Sequence, residues 1–268
     1  FLAFYTGGSF FNRGILGEVY NLDPGMYFPQ QFEFQKEIIG EAYNEQNTFV
    51  NPPFAALLYA PFALLDYVPA YIFWQMFNFL LLIFSVTIVR QELSVLKSVS
   101  LLKIIGCCFL FFPTLGWLFN AQATPIILLL YCLCYTSLRK GHNFRAGFFL
   151  GLLAFKPQLA VGIAIILLFK WRWKSLLGGM LAVAITLGFG FTFMPEAMIS
   201  YWKISPLLID LLRLPNYPTW GIHSFFGFSA LLFEDLAPWL TDTSTFLFTG
   251  ITILFVLLLW QKNKWVED

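Results

Sequence analysis

The chain alternates long runs without a single charge with short polar breaks, most of them basic. A helix needs about 20 apolar residues to cross the hydrocarbon of a bilayer, and the runs predict where such helices lie. No charge stands between Asp66 and Arg90, and Tyr71–Val89 is rich in Phe, Leu and Ile, which predicts one span. Ile104–Leu138 is also uncharged, but at about 1.5 Å per residue it is too long for one crossing. Pro113 and the stretch Asn120-Ala-Gln-Ala-Thr-Pro125 interrupt it, so a helical hairpin is expected. Ala146–Phe155 and Leu159–Phe169 are short apolar runs on either side of Lys156-Pro157-Gln158. Ser175–Met194 and Thr243–Trp260 complete the set. The expectation is an all-α polytopic membrane protein with about five full spans and one pair of half-helices, 146–169.

The intervals between these runs divide the chain. Residues 1–66 form an extracytoplasmic loop, with a polar acidic stretch (Glu33, Glu37, Glu41, Glu45) leading to Asn51-Pro52-Pro53 and a short apolar helix at Phe54–Leu65. Residues 67–195 make the transmembrane bundle, 196–242 an interfacial segment rich in Trp, Pro and Gly, and 243–268 the last span with its cytoplasmic tail. The four glutamates, spaced by four, share one helical face that reads as solvated.

Composition supports the membrane. Of 268 residues, 59% are hydrophobic and 12% charged, and mean hydropathy is +0.72, whereas soluble chains are about 25% charged. A net charge of +1 gives no strongly basic face for nucleic acid. Charge placement then orients the spans. The loops 90–103, 139–145, 170–174 and 261–268 hold eleven of the sixteen basic residues and three of the fifteen acidic ones, a bias that marks them as cytoplasmic. One helix through 146–169 would put the Arg139–Arg145 and Lys170–Lys174 clusters on opposite sides. Two half-helices folding back at Lys156-Pro157 keep them together, and proline disrupts a helix interior. Lys170-Trp-Arg-Trp-Lys174 fits an interfacial anchor. Cys107, Cys108, Cys132 and Cys134 lie in apolar runs without a CxxC pair and read as buried small hydrophobes.

Little is left to carry chemistry, and no metal or cofactor motif is present. Lys156 is the sharpest candidate, because an ionisable group at a helix break in the membrane needs a compensating partner. As a point charge it suits a phosphate, against the alternative of a lysine snorkelling to the headgroups. His223 is open between an acid/base or phosphate-contacting group and an interfacial histidine. Asn120 and Gln122 at the hairpin tip fit either a cavity lining or plain turn residues. Asp23, before Pro24-Gly25, reads as a turn or capping residue.

Several stretches together resemble glycosyltransferase family 87, of the GT-C class. Phe1-Leu-Ala-Phe-Tyr5-Thr-Gly-Gly8 with Gly14…Gly17-Glu-Val-Tyr20-Asn-Leu-Asp23 is similar to the family's first extracytoplasmic segment. Asn51-Pro-Pro-Phe resembles a Tyr-Pro-Pro segment with Asn51 in place of the tyrosine. Gly147-Phe-Phe-Leu-Gly151-Leu-Leu-Ala-Phe-Lys156-Pro157-Gln158 resembles the half-helix ending in Lys-Pro, and Trp220…His223-Ser224 is a weaker match. The resemblance implies a GT-C fold in a bacterial plasma membrane, with the active site facing outward. It implies an inverting transfer of a sugar, typically mannose, from a polyprenyl-phosphate donor to a hydroxyl of a glycolipid or glycan acceptor, without cofactor or essential metal. Lys156, Gln158 and His223 are then expected at the donor phosphate, and Tyr5, Asn120 and Gln122 on the acceptor side. The family's base is an aspartate just before the segment like Phe1–Tyr5, so it is expected upstream of Phe1, together with at least one more span. The rival expectation is a transporter or flippase of a lipid-linked or polar solute, since broken helices near mid-membrane also occur there.

Overall fold

A computed structural model of the chain describes residues 1–23, 27–45, 47–211, 222 and 224–262. Apart from an isolated bridge between Asp23 and Tyr27, the elements of the described residues are helical. They fall into two units, 1–204 and 205–268.

The first unit opens with a cap made of α1 (Leu2–Asn12), α2 (Pro29–Ile39) and short 3₁₀ turns. Two glutamines of α2 hold it together from within. The Gln31 side-chain amide donates to the Val19 and Phe49 carbonyls and accepts from the Phe49 N–H at 2.7 Å. Gln35 donates to Thr6 and to the Asn47 carbonyl, and accepts from Tyr43. Both side chains are fully buried, so irregular backbone that cannot pair with itself is satisfied by side chains. α1 lies close because Gly7 and Gly8 are bare: a Cβ on Gly7 would stand 2.6 Å from the Phe49 ring, and one on Gly8 2.8 Å from the Tyr59 backbone. Glu33 and Glu37 are exposed on α2, but the helix ends at Ile39, so Glu41 and Glu45 lie beyond it rather than on the same face. The short helix expected at Phe54–Leu65 is instead two 3₁₀ turns, Pro53–Leu58 and Phe62–Leu64, separated near Pro61.

α3 (Tyr67–Glu92) is the first long membrane helix. Ala70, Trp74, Asn78, Leu82 and Val86 recur every fourth residue and are buried, as one stripe of a helix should be. Val68, Ile72, Phe73, Met76, Leu80 and Phe84 are each more than half exposed. An apolar surface of that extent is stable against lipid, not water. A short turn, α4 (Ser94–Lys97), leads to α5 (Leu101–Leu110) and α6 (Phe112–Asn120), with the chain breaking at Phe111 before Pro113. Ala121 then takes a left-handed conformation, φ 50°, and α7 (Thr124–Arg139) returns. The expected interruptions at Pro113 and at Asn120–Pro125 are both present. Cys132 and Cys134 are buried on α7, but Cys107 is exposed on α5, which packs against its neighbours along one side only.

A tight turn through Gly141, φ 73°, carries α7 into α8 (Asn143–Gly151). A 3₁₀ turn at Leu152–Phe155 follows, then α9 (Pro157–Phe169), α10 (Trp173–Phe193) and α11 (Pro195–Ile204). α8 and α10 pass so closely that a Cβ on Gly147 would strike the Ser175 carbonyl, one on Gly151 the Gly179 carbonyl, and one on Gly178 the Phe144 carbonyl. Small residues that let backbones touch are the usual means of membrane helix association. From Gly147–Ser175 to Gly151–Gly179 the partners advance by four residues along both helices, so α8 and α10 run parallel and α9 between them must return. This is the fold-back expected at Lys156-Pro157.

The second unit holds α12 (Leu208–Leu211), α13 (Phe225–Phe233) and α14 (Pro238–Lys262). Ser224 caps α13 by accepting the Gly227 N–H, and Phe225 and Phe228 pack on Phe248 of α14. Among the described residues three helices are long and apolar enough to span: Tyr67–Glu92, Trp173–Phe193 and Pro238–Leu259. Fewer helices reach that length than the about five full spans expected, because the 104–138 hairpin is divided into arms of 10, 9 and 16 residues.

Candidate functional site

Lys156 occupies the joint between α8 and α9. Its backbone, φ −139° and ψ 68°, is not helical, so it ends one arm and precedes the next. Pro157 at the first turn of α9 has no N–H to lose there and starts the returning helix. The half-buried Lys156 ammonium donates to Gln122 Oε1 at 2.9 Å. Gln122 stands just past the left-handed Ala121, and that turn is fixed from the opposite side. Trp74 Nε1 donates to the Ala121 carbonyl at 2.8 Å, and Tyr71 and Gln75 both donate to the Leu118 carbonyl. The fully buried Trp74 thus sets the backbone on which Gln122, and through it Lys156, is held. A further bond from Tyr131 of α7 to the Leu159 carbonyl at 2.6 Å ties down the first turn of α9.

Beside this joint lies a groove of about 740 Å³ between α9 and α10. Its lining begins at Pro52, Phe54, Pro157 and Trp202 and continues along Ala164 and Val183 to Leu167 and Ser175. Small side chains on α9 (Ala160, Ala164) keep it open, while Leu176, Met180, Leu187 and Phe191 make the α10 wall apolar. Tyr201 supplies a phenol to the lining. Burial raises its pKa, so it is a neutral O–H donor at physiological pH. An apolar channel with a cation near one end is suited to an amphiphile whose head is anionic.

The remaining candidates are placed as follows. Gln158 is exposed on the first turn of α9. Asn120 is exposed, and its side-chain amide donates to the Gly116 carbonyl of its own helix. Tyr5 is buried, donates to the Leu65 carbonyl at 2.8 Å and packs edge-on to Tyr67. The structure therefore brings Lys156 and Gln122 together, and occupies Tyr5 and Asn120 with other partners. Phe1 lies next to this turn, its nitrogen 3.4 Å from the Asn120 carbonyl oxygen. His223 lies outside the described residues. Among the described residues no three His, Cys, Asp or Glu side chains gather as a metal site would require.

Sequence reasoning did not locate the groove or assign Pro52, Phe54, Tyr201 and Trp202 to its rim. Trp202 was legible only as an interfacial aromatic, and no spacing rule connects residues 52 and 202. The glycine pair Gly178-Gly179, facing Gly147 and Gly151, was the available signal that α8 and α10 touch.

The family model described as glycosyltransferase family 87 matches residues 49–267, which include the joint, the rim and both groove walls. No curated protein and no solved structure matches the chain.

Proposed function

Because the chain belongs to glycosyltransferase family 87, we propose that it transfers a sugar, mannose in the first instance, from a polyprenyl-phosphate donor to a hydroxyl of a glycolipid or glycan acceptor. The observation that carries this reading is the Lys156 ammonium, held by Gln122 at the helix break beside an apolar groove. The isoprenoid tail would lie between α9 and α10, where each buried methylene contributes about 0.8 kcal/mol. Its phosphate would meet Lys156, with Gln158 within the same turn. Family membership gives no support to the transporter or flippase alternative.

The chemistry follows from the charges. The acceptor oxygen attacks the anomeric carbon from the face opposite the phosphate, forming the new glycosidic bond with inversion. The bond from that carbon to the phosphate oxygen breaks, and its electron pair leaves with the lipid phosphate. Lys156 stabilises the extra negative charge as it develops. A base takes the acceptor proton. We assign that role, as the family resemblance implies, to a carboxylate expected just before Phe1, whose nitrogen lies 3.4 Å from the Asn120 carbonyl oxygen. The site would face outward in a plasma membrane, opposite the basic loops.

The test is transfer of radiolabel from a polyprenyl-phosphate sugar by the full-length protein in membranes. Lys156→Ala is expected to lower the rate by about a hundredfold or more while membrane insertion is unchanged. Wild-type transfer by that variant would remove Lys156 from the site.

A further inference from the structure

At the other end of the α7–α8 hairpin, away from Lys156, a second cleft of about 210 Å³ opens between the last turns of α3 and α7 and the first turn of α8. Its polar lining is Gln91, Glu92, Thr136, Ser137, Lys140, His142 and Arg145. The glycosyl-transfer site described above uses none of these residues.

Three features define what the cleft can hold. The first is charge: Lys140 and Arg145, with the imidazole of His142 beside them, share the cleft with the single carboxylate of Glu92. Glu92 is already paired with Lys140 at 2.7 Å. Arg145 lies over the Phe149 ring at 5.4 Å, and no ion pair occupies it among the described residues. That contact uses the guanidinium face and leaves its N–H edge for an acceptor. The second is size: the volume is far more than one bridging water needs. The third is the wall. Ile88 and Leu133 line the same cleft, so it joins a cationic rim to apolar helix surface at the end of membrane helices.

We propose that this cleft binds the phosphate of an anionic phospholipid headgroup from the adjoining leaflet. Free phosphate satisfies the rim equally well but has no use for Ile88 and Leu133. A lipid places its acyl chain along them while its phosphate accepts from Arg145, His142 and Gln91. Basic pockets between helices on the side of the positive loops are where such headgroups collect. Glu92 competes with the ligand for Lys140, so it weakens binding rather than forming part of the site.

The experiment uses the full-length protein in nanodiscs of phosphatidylcholine with a minor share of phosphatidylglycerol, with retained lipid counted by native mass spectrometry. Arg145→Gln is expected to lower retained phosphatidylglycerol about fivefold, and Glu92→Gln to raise it by freeing Lys140. The opposite signs separate a binding effect from misfolding, which would lower both. Retention unchanged by both variants overturns the proposal. A second arm titrates inorganic phosphate into phosphatidylcholine-only discs. Arg145-dependent phosphate binding there, without preferential retention of phosphatidylglycerol, would reassign the cleft to a soluble anion and overturn the lipid headgroup.

Discussion

At the scale of single residues, the site depends on a neutral partner for a cation. A carboxylate facing Lys156 would cancel the charge that a phosphate needs, whereas the Gln122 amide fixes the ammonium and leaves its charge intact. Gln122→Glu tests this directly, because it preserves the hydrogen bond and removes the net charge. KM for the donor should rise by about tenfold or more, with a smaller effect on kcat. An unchanged KM would mean that the phosphate does not meet Lys156. In the cap, Gln31→Leu keeps the volume but leaves the Phe49 N–H and two carbonyls buried without their partner. A loss of about 2 kcal/mol or more is expected from thermal unfolding. Lys156 and Gln122 were visible in the sequence as polar residues in apolar surroundings. Their bond was not, because they are separated by 34 positions and meet only through the Trp74-anchored turn.

Among elements, the decisive contact is α8 against α10. Gly147→Ala forces a methyl into the Ser175 carbonyl, and the helices must part. Overpacking of this kind costs about 1–3 kcal/mol, so its melting midpoint should fall. Gly162→Ala on α9 is the control, since a Cβ there meets nothing within 4 Å. That variant should be neutral or stabilised by up to about 1 kcal/mol through helix propensity. Equal melting points for the two variants would remove the close crossing. The broken helices were legible because uncharged runs and prolines report directly on bilayer length. The 3₁₀ turns at 53–64 were not, because Pro53 and Pro61 constrain the backbone in ways that an apolar count ignores.

For the whole molecule, the groove makes donor length a prediction. Ala164→Trp narrows it along α9, away from Lys156. KM for a long-chain polyprenyl donor should rise about tenfold, a loss equivalent to two buried methylenes, while a short-chain water-soluble donor is used as before. Equal effects on both donors would place the tail elsewhere. The parallel course of α8 and α10 also bears on how the chain is made. The two arms of the fold-back are thirteen residues each, about 20 Å, against roughly 30 Å of hydrocarbon. Neither arm is long enough to be stopped as a span when it leaves the translocon. The hairpin therefore gains its closest helix crossing, the glycine contact with α10, only after α10 emerges. The last element synthesised of the three supplies one wall of the groove, so a chain stalled before Trp173 would carry the lysine and its Gln122 partner but lack the channel beside them.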